Sequence, residues 1–272
     1  METSELILKQ GNRRRLSPRT IETYQNCLER FFRKYPIEPR KVTKKDVKDF
    51  LDGLIAKDKA GGTIHVYLNA LKFFFEECLG KKMRLDIKYC KRPKTLPLVL
   101  SKAEIKTMIE NIKNHKHKIM IALMYSAGLR VSELLNLKVQ DFNFKEGYGF
   151  VRQGKGMKDR LFVIAEKLRG ILLQICAGRK QDDFVFVSNR GKRYDVRSIQ
   201  EIIKKASKMA GINKKVHPHT LRHSFATHLI ENGYSVSDVQ ALLGHKSPET
   251  TMMYLHTASR NMLNIESPFD NL

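Results

Sequence analysis

The sequence predicts a mainly α-helical protein: an N-terminal helical bundle, then a mostly helical second part carrying one small antiparallel sheet. Three observations carry that prediction. Apolar residues recur at intervals of three and four along most of both halves, the spacing of helices with one buried face. Runs rich in Phe, Val and Ile are confined to Asp141–Phe144, Gly149–Gln153 and Arg160–Ile164, and these read as strands. Between the halves, Lys88–Pro97 (KYCKRPKTLP) sets two prolines among basic residues with no helical period, the pattern of an extended connector. The border falls between about residues 91 and 97, so residues 1–91 form one domain and 92–272 the other.

In the first domain, Ser17-Pro18 is an N-cap followed by proline at the first helical position. Ile21, Tyr24, Leu28, Phe31 and Phe32 then form an apolar stripe that ends at Tyr35-Pro36. Thr43 caps a second helix with Val47, Phe50, Leu51 and Leu54 inward. Gly61-Gly62 breaks it, Thr63 starts a third helix through Val66, Leu68, Leu71, Phe74 and Phe75, and Gly80 closes that one. Arg13, Arg14 and Arg15 precede the first helix, and Lys41, Lys44 and Lys45 cluster at the second.

In the second domain, Ser101 with Glu104 three residues on forms a capping box that opens a helix. An apolar helix over residues 117–126 stops at Ala127-Gly128, Arg130 sits in the turn, and VSELLNLKVQDF restarts a helix. Glu133 is an i,i+3 partner able to hold the Arg130 guanidinium. The strands follow, with GKGMKD placing Lys155 at a hairpin tip; Phe184–Val187 is either an edge strand or a buried connector. Ser198–Ala210 is a further amphipathic helix, ended by Gly211.

The formal net charge is +23, from 51 basic and 28 acidic residues. Residues 1–95 carry 23 Lys and Arg against 12 Asp and Glu, a net +11 that exceeds their share by length. Such an excess favours a polyanionic partner, nucleic acid before membrane. No apolar run reaches the roughly 18 residues of a membrane span, and the first residues lack the pattern of a secretory signal. The expectation is a soluble, cytoplasmic protein. Cys27, Cys78, Cys90 and Cys176 show neither C-x-x-C pairing nor metal-ligand spacing.

The stretch His217–Tyr254, HPHTLRHSFATHLIENGYSVSDVQALLGHKSPETTMMY, gathers residue types that bind anions, move protons or attack phosphorus. His219, Arg222 and His223 share one helical face. Two histidines four apart invite a zinc reading, but the run is H-T-L-R-H without the glutamate of H-E-x-x-H, and an adjacent arginine repels a divalent cation. No metal is expected. His223 and His228 read as structural, held in the packed helix. Gly244-His245 ends the next short helix, and Tyr254 lies in the helix that Ser247-Pro248 opens.

Four blocks in order, SAGLRVSEL, GKGMKDR, HPHTLRHSFATHL and LLGHKSPETTMMY, resemble the tyrosine recombinase (phage integrase) family, and the layout is most similar to its Xer-type members. The resemblance covers the second domain and, more loosely, the first, which is similar to the family's DNA-clamping core-binding domain. It implies a catalytic set of Arg130, Lys155, His219, Arg222, His245 and the nucleophile Tyr254, with Glu133 in support and Lys158 as the rival to Lys155. It implies no cofactor. The partners it implies are double-stranded recombination sites and three further copies of the chain, joined through the C-terminal tail in a tetrameric synapse that passes through a Holliday junction. Arg13, Arg14, Arg15, Lys41, Lys44 and Lys45 are the candidate DNA contacts.

The chemistry suits the residues. A phosphodiester repels nucleophiles, and two arginines can clamp its non-bridging oxygens with paired donors. A tyrosine with an ordinary pKa near 10 needs a proton acceptor and local positive charge. The expected natural roles are chromosome dimer resolution or integration and excision of a mobile element. Three other readings stand beside recombination: strand relaxation of the type IB topoisomerase kind, a non-catalytic basic DNA-binding regulator, and a metal-dependent nuclease.

Overall fold

The computed structural model describes residues 3–81, 83, 96–152, 159–188 and 190–244. The chain divides into two compact units, Met1–Lys94 and Thr95–Leu272. Among the described residues, no helix is long and apolar enough to cross a membrane.

The first unit is helical: α1 (Thr3–Arg13), α2 (Pro18–Lys34), α3 (Lys44–Ile55) and α4 (Gly61–Lys72), with α4 running into a π-helical turn at Phe73–Cys78. The caps read in the sequence are present. Ser17 Oγ accepts the Thr20 amide, and Thr43 forms a reciprocal box with Asp46. Phe31 is the centre of the core, with ring centroids 5.1 Å from Phe50 and 6.1 Å from Phe75, both edge-on.

Several expectations are corrected. Arg13 is the last residue of α1, so it lies inside a helix that the sequence reading omitted. That helix seats on α2 by close approach: a Cβ on buried Gly11 would come within 2.7 Å of Ile21. Gly61 and Gly62 are the first residues of α4, so the helix starts before Thr63, and α3 has already ended at Ile55 without them. The turn before them is made by Asp58 at φ 50°, a residue whose short polar side chain tolerates the left-handed region. Val66 is 37% exposed, and Ile64 and Tyr67 are buried in its place.

The second unit holds α5 (Lys102–Glu110), α6 (His115–Ser126), α7 (Val131–Asn136), a 3₁₀ turn at Val139–Asp141, strands β1 (Phe142–Asn143), β2 (Tyr148–Val151) and β3 (Arg160–Val163), then α8 (Glu166–Cys176), α9 (Val196–Met209), α10 (Pro218–Glu231) and α11 (Val236–Leu243). The sheet is antiparallel in the order β1-β2-β3, with Tyr148 opposite Val163 and Val151 opposite Arg160. Gly149 permits the close hairpin: a Cβ there would sit 2.3 Å from the Phe162 ring.

The restarted helix is shorter than expected because Leu137 turns extended after one and a half turns. The first strand is shorter too. Asp141 belongs to the 3₁₀ turn, where its buried carboxylate accepts from the Lys138 amide and from Arg152 Nε, both at 2.8 Å. Among the described residues, Phe184 and Val187 make only isolated bridges, to Lys138 and Arg193, so that segment is a connector there. A large apolar cluster from Leu100 through Leu221 forms the core, and α10 and α11 close a smaller one around Ala226, Val239 and Leu243.

Candidate active site

Two helix starts and one strand converge on a single carboxylate. Helix α6 is capped by Ala127, and Gly128 turns the chain at φ 58°. Arg130 is the N-cap of α7, and its amide donates to Glu133 Oε2 at 2.8 Å. Its guanidinium Nη1 donates to Glu133 Oε1 at 2.5 Å, the i,i+3 pair the spacing predicts. Arg222 Nη1 lies 3.6 Å from Glu133 Oε2. A third guanidinium reaches the same group: Arg160 Nη2 donates to Oε2 at 2.7 Å.

The Glu133 side chain is 4% exposed. Burial works to raise its pKa, but Arg160 first, then the Arg130 amide and Arg222, outweigh that and hold it below the usual glutamate value. One negative charge thus faces three positive ones, and the site keeps an excess of positive charge suited to an anion.

Arg222 is buried on α10, whose start is fixed by Pro218 at its first turn and by the His217 ring, which accepts the Thr220 amide at 3.3 Å. Its Nη1 donates to Gly128 O at 2.6 Å, and its Nη2 to Leu243 O. His219 lies one turn earlier and is exposed. His223 is half-buried, its ring 6.3 Å from that of His219. Burial, then His219, His217 and Arg222, push its pKa down to about 4, so it is neutral at pH 7.

His228 is buried and bonded through Nδ1 to the Tyr125 hydroxyl at 2.9 Å, a packing role. Ser224 Oγ accepts the Leu100 amide at 2.9 Å and so ties the incoming chain to α10. Helix α11 ends at Gly244, φ 60°, in the left-handed cap that leads directly to residue 245.

Arg130, Glu133 and Arg222 are therefore brought together, with His219 one turn from Arg222. Lys155, His245 and Tyr254, together with Lys158 and the C-terminal tail, lie outside the described residues. Arg13, Arg14, Arg15, Lys41, Lys44 and Lys45 are all exposed; Arg14 pairs with Glu77, and Lys41 with Glu38 at 3.0 Å. Sequence reasoning missed Arg160. A register signal existed, since Arg160 occupies the same inward face of β3 as buried Phe162. An arginine at an inward strand position requires a partner.

Residues 99–261 match the phage integrase family, and residues 5–85 match the phage integrase N-terminal SAM-like domain. Tyrosine recombinase XerA of Pyrococcus furiosus is 37% identical over 253 residues, covering 90% of this chain and 86% of the relative. Tyrosine recombinase XerC of Thermodesulfovibrio yellowstonii is 32% identical, covering 92% and 89%. Among solved structures, a crystal structure of XerA recombinase aligns with a TM-score of 0.57 at 32% identity, over 97% of this chain and 98% of that one. XerH bound to a palindromic difH substrate aligns at 0.72 with 20% identity, over 99% and 85%, which shows a shared fold. The chain belongs to the phage integrase family. Within it, the protein is a tyrosine site-specific recombinase similar to the Xer enzymes.

Proposed function

We propose that this recombinase cuts and rejoins DNA strands through a 3′-phosphotyrosine on Tyr254, passing through a Holliday junction, without metal or ATP. The observation that carries the reading is the shared hold of Glu133 on Arg130 and Arg222: two guanidiniums from distant helices meet at one buried carboxylate. A pair fixed in this way can grip two non-bridging phosphate oxygens and stabilise the charge of a pentacovalent phosphorus without reorganising. The Arg130 side chain remains 20% exposed, so a phosphate can reach it.

In this scheme Tyr254 Oη bonds to phosphorus as the P–O5′ bond breaks. His219 accepts the phenolic proton, Lys155 protonates the departing 5′-oxygen, and His245 donates to a non-bridging oxygen. The phosphotyrosyl link conserves the bond energy, so a 5′-hydroxyl from a second duplex reverses the step and no nucleotide is consumed. Four subunits on two sites, linked by C-terminal tails, carry out the exchange in pairs. The exposed basic residues Arg13, Arg14, Arg15, Lys41, Lys44 and Lys45 of the first domain, residues 1–91, contact the duplex backbone, and the second domain, residues 92–272, carries the chemistry. The reading is supported by relatives whose names state tyrosine recombination and by XerH, which was solved on its difH substrate.

Covalent capture tests it. The full chain is incubated with a random-sequence library of nicked duplexes, denatured, and the attached DNA recovered and sequenced. The expected result is a defined sequence joined at its 3′-phosphate to Tyr254, equally in EDTA, and no adduct from Tyr254→Phe. Relaxation of a supercoiled plasmid carrying that sequence twice, with no recombinant product, would overturn recombination in favour of a topoisomerase.

A further inference from the structure

We propose that Arg160 is a positioning residue for the Arg130–Arg222 pair, clamping Glu133 and the last turn of α11 into one fixed arrangement. The proposal rests on the function proposed above.

Arg160 opens β3, and its side chain is 6% exposed. Its guanidinium faces two ways. Nη2 donates to Glu133 Oε2 at 2.7 Å on α7, and Nη1 donates to the carbonyl of Leu242 on α11. The backbone of Gly244 lies against its stem so closely that a Cβ there would sit 2.9 Å from Arg160 Cδ. Arg222 Nη2 takes the next carbonyl of the same turn, that of Leu243. Two guanidiniums therefore hold adjacent carbonyls at the end of α11 while both lie against one carboxylate.

The geometry needs a planar fork, because one point charge cannot bridge Glu133 and Leu242 together. Packing alone does not call for an arginine here. Its Nε is buried with no hydrogen-bond partner among the described residues, and a buried ion pair is often no more stabilising than an apolar pair of similar volume. What the arginine supplies is alignment. Glu133 orients Arg130 from the oxygen that Arg160 leaves open, and the end of α11 delivers the chain to residue 245 one position past Gly244.

The test uses the duplex recovered by wild-type covalent capture. Single-turnover covalent attachment and duplex Kd are measured for Arg160→Gln, Arg160→Lys, Glu133→Gln and the double variant Glu133→Gln/Arg160→Gln. Loss of alignment at a reacting centre costs about 10²-fold, so Arg160→Gln should attach DNA about 100 times more slowly with Kd changed less than about threefold. Arg160→Lys should recover only part of that rate. In the Glu133→Gln background, adding Arg160→Gln should slow attachment less than about threefold further, because both act through one contact. Wild-type rates in the Arg160 variants, or full additivity in the double variant, would overturn the proposal alone. So would an Arg160→Lys protein that is unfolded by circular dichroism at the assay temperature, since the residue would then hold the fold. No adduct from the wild type would overturn the proposed function itself.

Discussion

Arg222 Nη1 donates to the carbonyl oxygen of Gly128 at 2.6 Å, joining two points 94 residues apart in the chain. The bond requires Gly128 to present its carbonyl toward α10, which it does by adopting φ 58° at the exit of α6. A side chain is excluded there on two grounds. The left-handed region costs an L-residue energy, and a Cβ would lie 2.5 Å from the Phe225 ring. Gly128→Ala should therefore destabilise the second unit by about 2–4 kcal/mol, from backbone strain and overpacking together. Urea unfolding followed by circular dichroism measures this; a midpoint unchanged from wild type would contradict it.

Arg222→Lys should preserve the fold and remove the clamp. The lysine can reach one acceptor, whereas the guanidinium serves Gly128, Leu243 and the Glu133 carboxylate at once. Covalent attachment should fall by about 10²–10³-fold, the usual cost of losing a donor to a developing oxyanion. In the proposed function duplex affinity rests mainly on the exposed basic residues, so it should change little. Single-turnover attachment and filter binding separate the two quantities, and an equal loss in both would speak against a role in the transition state.

Much of this was legible because local chemistry writes it. Ser17-Pro18, Thr43 with Asp46, and Ser101 with Glu104 cap helices through contacts three residues apart, within reach of a short sequence window. Arg130 and Glu133 likewise meet inside one turn. Helix α1 was not legible: its apolar residues, Leu6, Ile7 and Leu8, stand in one consecutive run without helical spacing, and its second buried residue is Gly11, which carries no apolar signal. Arg160 was missed for a different reason. Its partners lie 27 and 82 residues away, so only the folded chain brings Glu133 and Leu242 to it.

The half-buried His223 makes stability depend on pH. Burial and its neighbours hold its folded pKa at about 4, below the unfolded value near 6.5. A lowered histidine pKa means that the unfolded chain binds the extra proton between these values, so stability is complete above about pH 6.5 and declines as pH falls toward 4. His228, held low chiefly by burial, acts in the same direction. The contribution of His223 should be about 1–2 kcal/mol, reduced from the full linkage value because its ring is partly solvated. The drop in urea midpoint between pH 7 and pH 5 should shrink in His223→Gln; an undiminished drop would assign the dependence elsewhere.

Glu133 works with the opposite partner and a lower window. Burial opposes its charge, yet Arg160, the Arg130 amide and Arg222 keep its pKa below the unfolded value of about 4.3. For a carboxylate lowered by folding, the stabilisation is present above the unfolded pKa and is lost as pH falls through the folded one. Glu133→Gln keeps the shape and deletes the charge, leaving Arg130, Arg160 and Arg222 facing one another across a buried neutral amide. Removing one partner of a buried ion pair strands the other, so the variant should lose about 3 kcal/mol at pH 7. The loss should begin to diminish below about pH 4.3, where the unfolded chain takes up the proton that the folded carboxylate still resists. Parallel urea titrations at pH 7 and pH 3.5 check both statements. A deficit of the same size at the two values would mean that shape, and not the carboxylate charge, holds the three arginines together.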